Sequence, residues 1–386
     1  MRTSVSARRR AARGARWLAA VALGTLAVLG AATAAQAQPA AAAAPLPKPQ
    51  PIALNLLNWS GSAGFGSRGP AWYQDSSGVV HLQGAVKVVN ETGPNAPLIG
   101  TLPRAAWPAQ FVLLLAHSFD GTYASLEISP AGQITAVPSA APAVTDFSFV
   151  SLEGLTYRPT GDGTPIAMNT VNWNGSVAGT FTPSWYTDRS GIVHLEGAAD
   201  QASTTGSGAN TIGTLPPAEA PAQAVYTVVT TGQNAYADLV IQPSGAIDLI
   251  GARPPAVEEN YLVSLESISY RPAGAGSPIA VNTANFSGSA GFGSRPPAWY
   301  TDKYGIVHLQ GAVTQTSTSG SGANTIGTLP PAARPSHDVY TIVHTFNGTY
   351  ADLVIQTSGA IDLINPRPPM VGDYSFVSLE SISYRR

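Results

Sequence analysis

The sequence predicts an all-β protein built as three tandem β-sandwich, jelly-roll-like domains. Three observations lead there: a unit of about 110 residues recurs three times, charged residues are only 11% of the chain, and turn formers abound, with 39 glycines and 32 prolines in 386 residues. Low charge with many turn formers suits short strands and tight connections better than helices, and no helical period of apolar residues follows residue 50.

The copies begin at Pro51, Pro165 and Pro278, which sets domains at 51–164, 165–277 and 278–386. Each opens with PIAxNxxN, continues through WYxDxxGxVHLxGA and IGTLP, and closes with SLExxxYR, so equivalent residues are named by register. A period this long is a domain length rather than a solenoid unit, and each copy has enough chain for its own core. The joins RPTGDGT (158–164) and RPAGAGS (271–277) are Pro, Gly and small polar residues. Seven residues reach roughly 25 Å when extended, so neighbouring copies touch or nearly touch. Two layouts fit that reach: a single-chain pseudo-trimer around an axis, and beads on a string.

Ahead of the copies, residues 1–37 carry Arg2, Arg8, Arg9, Arg10, Arg13 and Arg16, then an uncharged run from Trp17, then Ala35, Gln36 and Ala37. This order reads as a secretory signal peptide cleaved before Gln38. The run is also long enough for a membrane anchor, an alternative that its Ala and Gly content and its small-x-small exit oppose. The consecutive arginines leave general and twin-arginine export both open. Residues 38–50 are mostly Ala and Pro and read as a linker or stalk.

Residues 1–37 hold 6 of the 20 basic residues and none of the 22 acidic ones, which leaves 14 against 22 and a net charge of −8 on the secreted chain. Such a balance, without basic runs, argues against nucleic acid and against anionic membrane surfaces. With no cysteine, disulfides and thiolate metal sites are excluded.

Within copy three, Ile306 to Val313 alternates, placing Val307, Leu309, Gly311 and Val313 on one strand face and His308 and Gln310 on a less apolar one. The pattern recurs around His81 and His194. Further on, Asn347 and Gly348 between two strand-like runs mark a hairpin, matched by Asp120 and Gly121 and by Gln233 and Asn234. Ser358 and Gly359, with their equivalents, mark a second turn. TLP at Thr101, Thr214 and Thr328 predicts a strand end, since proline cannot donate to the next rung. Seven or eight strands per copy follow. Core candidates are Trp59, Trp173 and Phe286, one residue of each WY pair, and Leu82, Leu195 and Leu309.

Few groups suggest chemistry. His81, His194 and His308 hold equivalent places and, near an axis, would suit a three-histidine metal site; a surface or interface histidine explains them more simply, and no metal or cofactor is expected. His117 and His344 match in register, but copy two has Thr230. Glu153, Glu266 and Glu380 in SLE, and Asp75, Asp188 and Asp302 in the WYxD turn, would serve a glycosidase if they flanked a cleft. A strand-edge Glu and a turn-capping Asp account for the same letters, and the chain is read as no enzyme.

Binding has more support, because sugars are held by aromatic faces with short polar side chains and carboxylates. Tyr123, Tyr236 and Tyr350 follow the hairpin turn in every copy, with Asp238 and Asp352 two residues on and Ser125 in copy one. Trp72 with Tyr73, Trp185 with Tyr186 and Trp299 with Tyr300 form a second aromatic set, one residue of each pair facing the core. These aromatics and the three histidines are the candidate ligand-binding residues. The loops GSAGFGS at Gly61 and Gly288, and GSVAGTFT in copy two, have the wrong glycine spacing for phosphate and read as flexible.

The order GxVHLxG, then TLP with Arg334 and Pro335, then a hairpin strand pair, then SLxxISY resembles the C-terminal head domain of bacteriophage tail fibres and other tail receptor-binding proteins. It spans roughly the last 90 residues of each copy, copy three matching best. The resemblance implies a trimer-forming β-sandwich that recognises host-surface polysaccharide. A signal peptide and three heads in one chain depart from that family and point to a secreted bacterial protein. The expectation is a monomer that binds polysaccharide or a cell-surface glycan by several weak sites. The rival is a structural protein whose repeats assemble without a ligand.

Overall fold

The computed structural model describes residues 47–119, 122–138, 149–205, 208–232, 235–250, 261–289, 291–345, 349–364 and 375–386. The predicted signal peptide, most of the predicted linker and the three predicted hairpin turn pairs lie outside them. Residues 43–386 form one compact unit.

Among the described residues, copy one contains twelve strands. They are β1 (Gln50–Pro51), β2 (Ala53–Leu54), β3 (Trp59–Ser60), β4 (Ala71–Gln74), β5 (Val80–Gln83), β6 (Ala85–Val88), β7 (Leu98–Thr101), β8 (Val112–Ser118), β9 (Thr122–Ile128), β10 (Gln133–Pro138), β11 (Val150–Ser151) and β12 (Thr156–Tyr157). The seven of four residues or more match the expected count, and the others are two-residue rungs that the pattern was too short to reveal. All pairing between these strands is antiparallel. A four-stranded sheet runs β1-β4-β5-β12, and an eight-stranded sheet runs β2-β7-β10-β9-β8-β11-β6-β3. The edges β2 and β3 are joined by one turn, in which Trp59 N–H donates to Asn55 O at 2.9 Å, so the large sheet nearly closes on itself. Copies two and three repeat both sheets in the same order.

The VHLxG motif has a structural reason. Gly84, Gly197 and Gly311 adopt φ of +83°, +89° and +87° and carry the chain from the small sheet into the large one. A Cβ on Gly84 would lie 2.2 Å from the Gly69 carbonyl oxygen. Each glycine N–H donates at 2.7 Å to the SLE glutamate of its copy, Glu153, Glu266 or Glu380. The single predicted strand Ile306 to Val313 is thus two strands, Ile306–Gln310 and Ala312–Gln315, hinged at Gly311.

Each copy has its own core, built on Trp59 and Leu82, on Trp173 and Leu195, and on Phe286 and Leu309. The TLP strands end at Thr101, Thr214 and Thr328 as expected, and Pro103 and Pro330 cap short 3-10 turns.

The polar face of the VHL strand does not look out on solvent. His81, His194, His308, Gln83, Glu196 and Gln310 are all buried, because the copies pack against one another around a pseudo-threefold axis. The chain ends close the ring. Arg158 lies over the Tyr186 ring and Arg271 over Tyr300, each from the end of one copy onto the next, and Arg385 lies over Tyr73 of copy one. Arg385 also donates to Pro47 O at 2.6 Å, as Arg271 donates to Gly274 O at the register-equivalent place. The layout is therefore the ring and not the string.

Gly84→Ala combines a left-handed backbone with a clash against main chain, and it is expected to destabilise the protein by more than about 2 kcal/mol in a denaturant titration.

Candidate functional site

The hairpin tyrosines, expected as an exposed platform for sugar, instead meet on the axis. Tyr123, Tyr236 and Tyr350 pack edge to face with centroid separations of 5.2, 5.5 and 4.8 Å. Tyr350 is buried and the other two are half-buried. They reach the axis because the hairpin strands β8 and β9, and their equivalents, form the inner wall of the ring. Edge-to-face pairs are a preferred aromatic geometry, and three of them close a plug.

A polar layer adjoins the plug on the same hairpins, where His117, Thr230 and His344 pair across the ladder with the three tyrosines. Nδ1 of His344 lies 2.8 Å from Asp238 Oδ1, His117 Nε2 lies 3.6 Å from Asp352 Oδ1, and Ser125 Oγ lies 2.8 Å from Thr230 Oγ1. Every one of these contacts joins two different copies. Asp238 and Asp352, proposed as sugar-binding carboxylates, are thus buried partners of a neighbour's histidine. Burial holds His117 down at about 3, and burial raises Asp238 despite its bond to His344.

The second aromatic set is also enclosed. Trp72 and Tyr73 are both buried, and Trp185 and Trp299 pack on their cores. Tyr73 stacks on His81, Tyr186 on His194 and Tyr300 on His308, at 4.7 to 4.9 Å and within 7° of parallel. Each histidine Nε2 turns to the aspartate of its own WYxD turn, at 3.0 Å from Asp75, 3.5 Å from Asp188 and 3.4 Å from Asp302. The other oxygen of Asp75 accepts from Ser77 and Val79 N–H, the predicted turn cap. The ring nitrogens therefore face three separate carboxylates and not a common point, and among the described residues no cluster is arranged to hold a metal ion.

The SLE glutamates differ between copies. Glu153 is bound by Arg68 at 2.7 Å and Glu380 by Arg295 at 3.0 Å. Copy two has Phe181 at that place, and Phe181 sits in the core of copy one. Its glutamate, Glu266, is without that arginine; burial, with the Glu196 charge adding to it, pushes the carboxyl up to about 8.

Exposed aromatic surface occurs elsewhere, in the GFG loops read as flexible from sequence. Phe65 and Phe292 are 48% and 52% exposed and adopt φ of +52° and +51°, a left-handed conformation uncommon for a bulky side chain. Each loop docks on the neighbouring copy. Tyr340 Oη donates to Phe65 O and Tyr226 Oη to Phe292 O, both at 2.8 Å, while Asp338 N–H bonds to Gly66 O and Ala224 N–H to Gly293 O. Inside the loop, Phe65 stacks on Phe119 at 4.6 Å, and Phe149 lies 5.0 Å from Tyr340. Tyr226 lies 4.9 Å from Phe376, which lies 5.8 Å from Phe292. Two inter-copy clefts therefore carry aromatic faces that begin buried at His117 or His344 and end at the surface. The third joint has Ala178 at the Phe65 position and Leu113 at the Tyr340 position. A paired aromatic between glycines in two copies only was the available signal.

Two outcomes follow. Tyr350→Ala opens the axial plug and should cost about 3 kcal/mol in a denaturant titration. Glu266 keeps its proton to about pH 8 in the folded chain, against 4.5 for an ordinary glutamate, so its stabilisation is full below pH 4.5 and lost as pH rises through 8. His117 acts oppositely, its contribution present above pH 6.5 and lost as pH falls toward 3. Melting temperature should therefore fall from pH 6.5 to 8.5, and Glu266→Gln should flatten that limb while leaving the acid limb in place. Compared with protein-family models, with curated proteins and with solved structures, the chain matches none.

Proposed function

We propose that this is a secreted, non-catalytic head that binds a carbohydrate or another cell-surface polymer at its two aromatic clefts, not at the axis. The observation that carries the reading is the pair of half-exposed phenylalanines, Phe65 and Phe292, each held by a hydrogen bond from a tyrosine of the preceding copy in the ring. Sugars present C–H faces that stack on aromatic rings, and a ring held by backbone bonds on both sides loses little freedom on binding. Two such clefts on one rigid body act together on a polymer, where repeated weak contacts combine. The resemblance to tail-fibre heads agrees with this class of ligand. Burial of the axial tyrosines and of Trp72 favours a second reading, a structural head without a small ligand.

The test is binding of residues 38–386 to an array of bacterial and plant polysaccharides. Saturable binding to one class, weakened about tenfold or more by Phe65→Ala with Phe292→Ala at unchanged melting temperature, is the expected outcome. Binding that survives both changes places the site elsewhere, and no binding to any polymer favours the structural reading.

A further inference from the structure

We infer that the three joints are of two chemical kinds and that this difference encodes the cyclic order of the copies. Each copy offers one side to the copy before it and the other side to the copy after it. At the joint of copy one on copy three, His117 and Phe149 face Asp352 and Tyr340. At the joint of copy three on copy two, His344 and Phe376 face Asp238 and Tyr226. The GFG loops of copies one and three cover these two joints.

The joint of copy two on copy one keeps the same backbone contacts with different side chains. Phe111 N–H donates to Gly179 O at 2.7 Å, and Ser264 Oγ donates to Leu113 O at 2.7 Å, as Ser378 does to Tyr226 O and Ser151 to Tyr340 O. Here Thr230 replaces the histidine, Leu262 and Ala178 replace the two phenylalanines, and on the facing side Ser125 and Leu113 replace aspartate and tyrosine. These five exchanges all fall on the two sides of one joint. Copy two has lost the histidine side but kept Asp238 and Tyr226, while copy one has lost the aspartate side but kept His117.

The consequence is a heterologous interface with a unique closure. The chain order 1-2-3, or its rotation 2-3-1, satisfies all three joints. The order 1-3-2 keeps one. It sets Asp352 against Thr230, a buried carboxylate deprived of its imidazole neighbour, and it sets His344 and Phe292 against Ser125 and Leu113. Only copy three carries both complementary sides.

The experiment reorders the copies within the full chain, each linker moving with the copy that follows it, and reads the denaturation midpoint and monomeric elution. The 2-3-1 chain should match the parent, and 1-3-2 should unfold several degrees lower. Converting the odd joint with Ser125→Asp, Leu113→Tyr, Thr230→His, Leu262→Phe and Ala178→Phe should return 1-3-2 toward the parent. A 1-3-2 chain as stable as the parent overturns the inference, as does a deficit that the five substitutions leave unchanged. In parental order, Ser125→Asp alone should destabilise and adding Thr230→His should recover most of the loss; additive losses also overturn it.

Discussion

Both faces of the central VHL strand are buried, and the rest of the molecule depends on that constraint. A sheet with one apolar face is complete once that face is covered. Here the second face carries histidine, glutamine or glutamate, and burying such groups is costly unless each finds a partner. The histidines take theirs from the adjacent tyrosine and the aspartate of the preceding turn, Gln310 from Arg295 of its own copy, and Glu196 from Arg158, the arginine that ends the previous copy and, like Arg271 and Arg385, lies over a tyrosine of its neighbour. No copy supplies that arginine for itself. The repeats are distinct cores, yet each one's polar interior is finished by another.

Copy two shows how such an interior tolerates change. It lacks the arginine that binds the SLE glutamate and has Phe181 there, which packs under Gly161 of the linker and into the core of copy one. The acid has moved as well: Glu196 stands where the other copies have glutamine, and Arg158 donates to it at 2.9 Å while Ser184 Oγ does so from the other side. One buried ion pair is thus exchanged for another a few residues away. Glu266, left without its arginine, stays protonated near neutrality and avoids an unpaired charge.

Much of this was legible in the sequence, and the reasons are specific. Register repetition reveals the copies and alternation reveals the strands, but the glycine after VHL reads as one more position of a single strand, and its passage between sheets was not legible. Core residues such as Trp59, Trp173 and Leu82 follow from period alone. Placement of the candidate site did not follow, because an aromatic with a nearby carboxylate reads alike on a sugar-binding rim and at a packed axis. Tyr123, Tyr236 and Tyr350 illustrate this: threefold repetition, taken as a sign of multivalent sites, equally well marks residues that meet one another. His117, Thr230 and His344 carried the opposite lesson. Their imperfect repetition argued against a shared role, and the variation is itself the trace of unequal joints.

The seven-residue linkers have a consequence for the molecule at low concentration. Three separate chains must find each other, and their trimer dissociates as it is diluted into the surroundings. Tethered copies hold one another at an effective concentration in the millimolar range regardless of how sparse the molecule becomes. The tether also releases the copies from identity. Three separate chains encoded alike must accept every substitution three times over, whereas a single chain can alter one joint and keep the other two, and so present a lopsided surface from a symmetric scaffold.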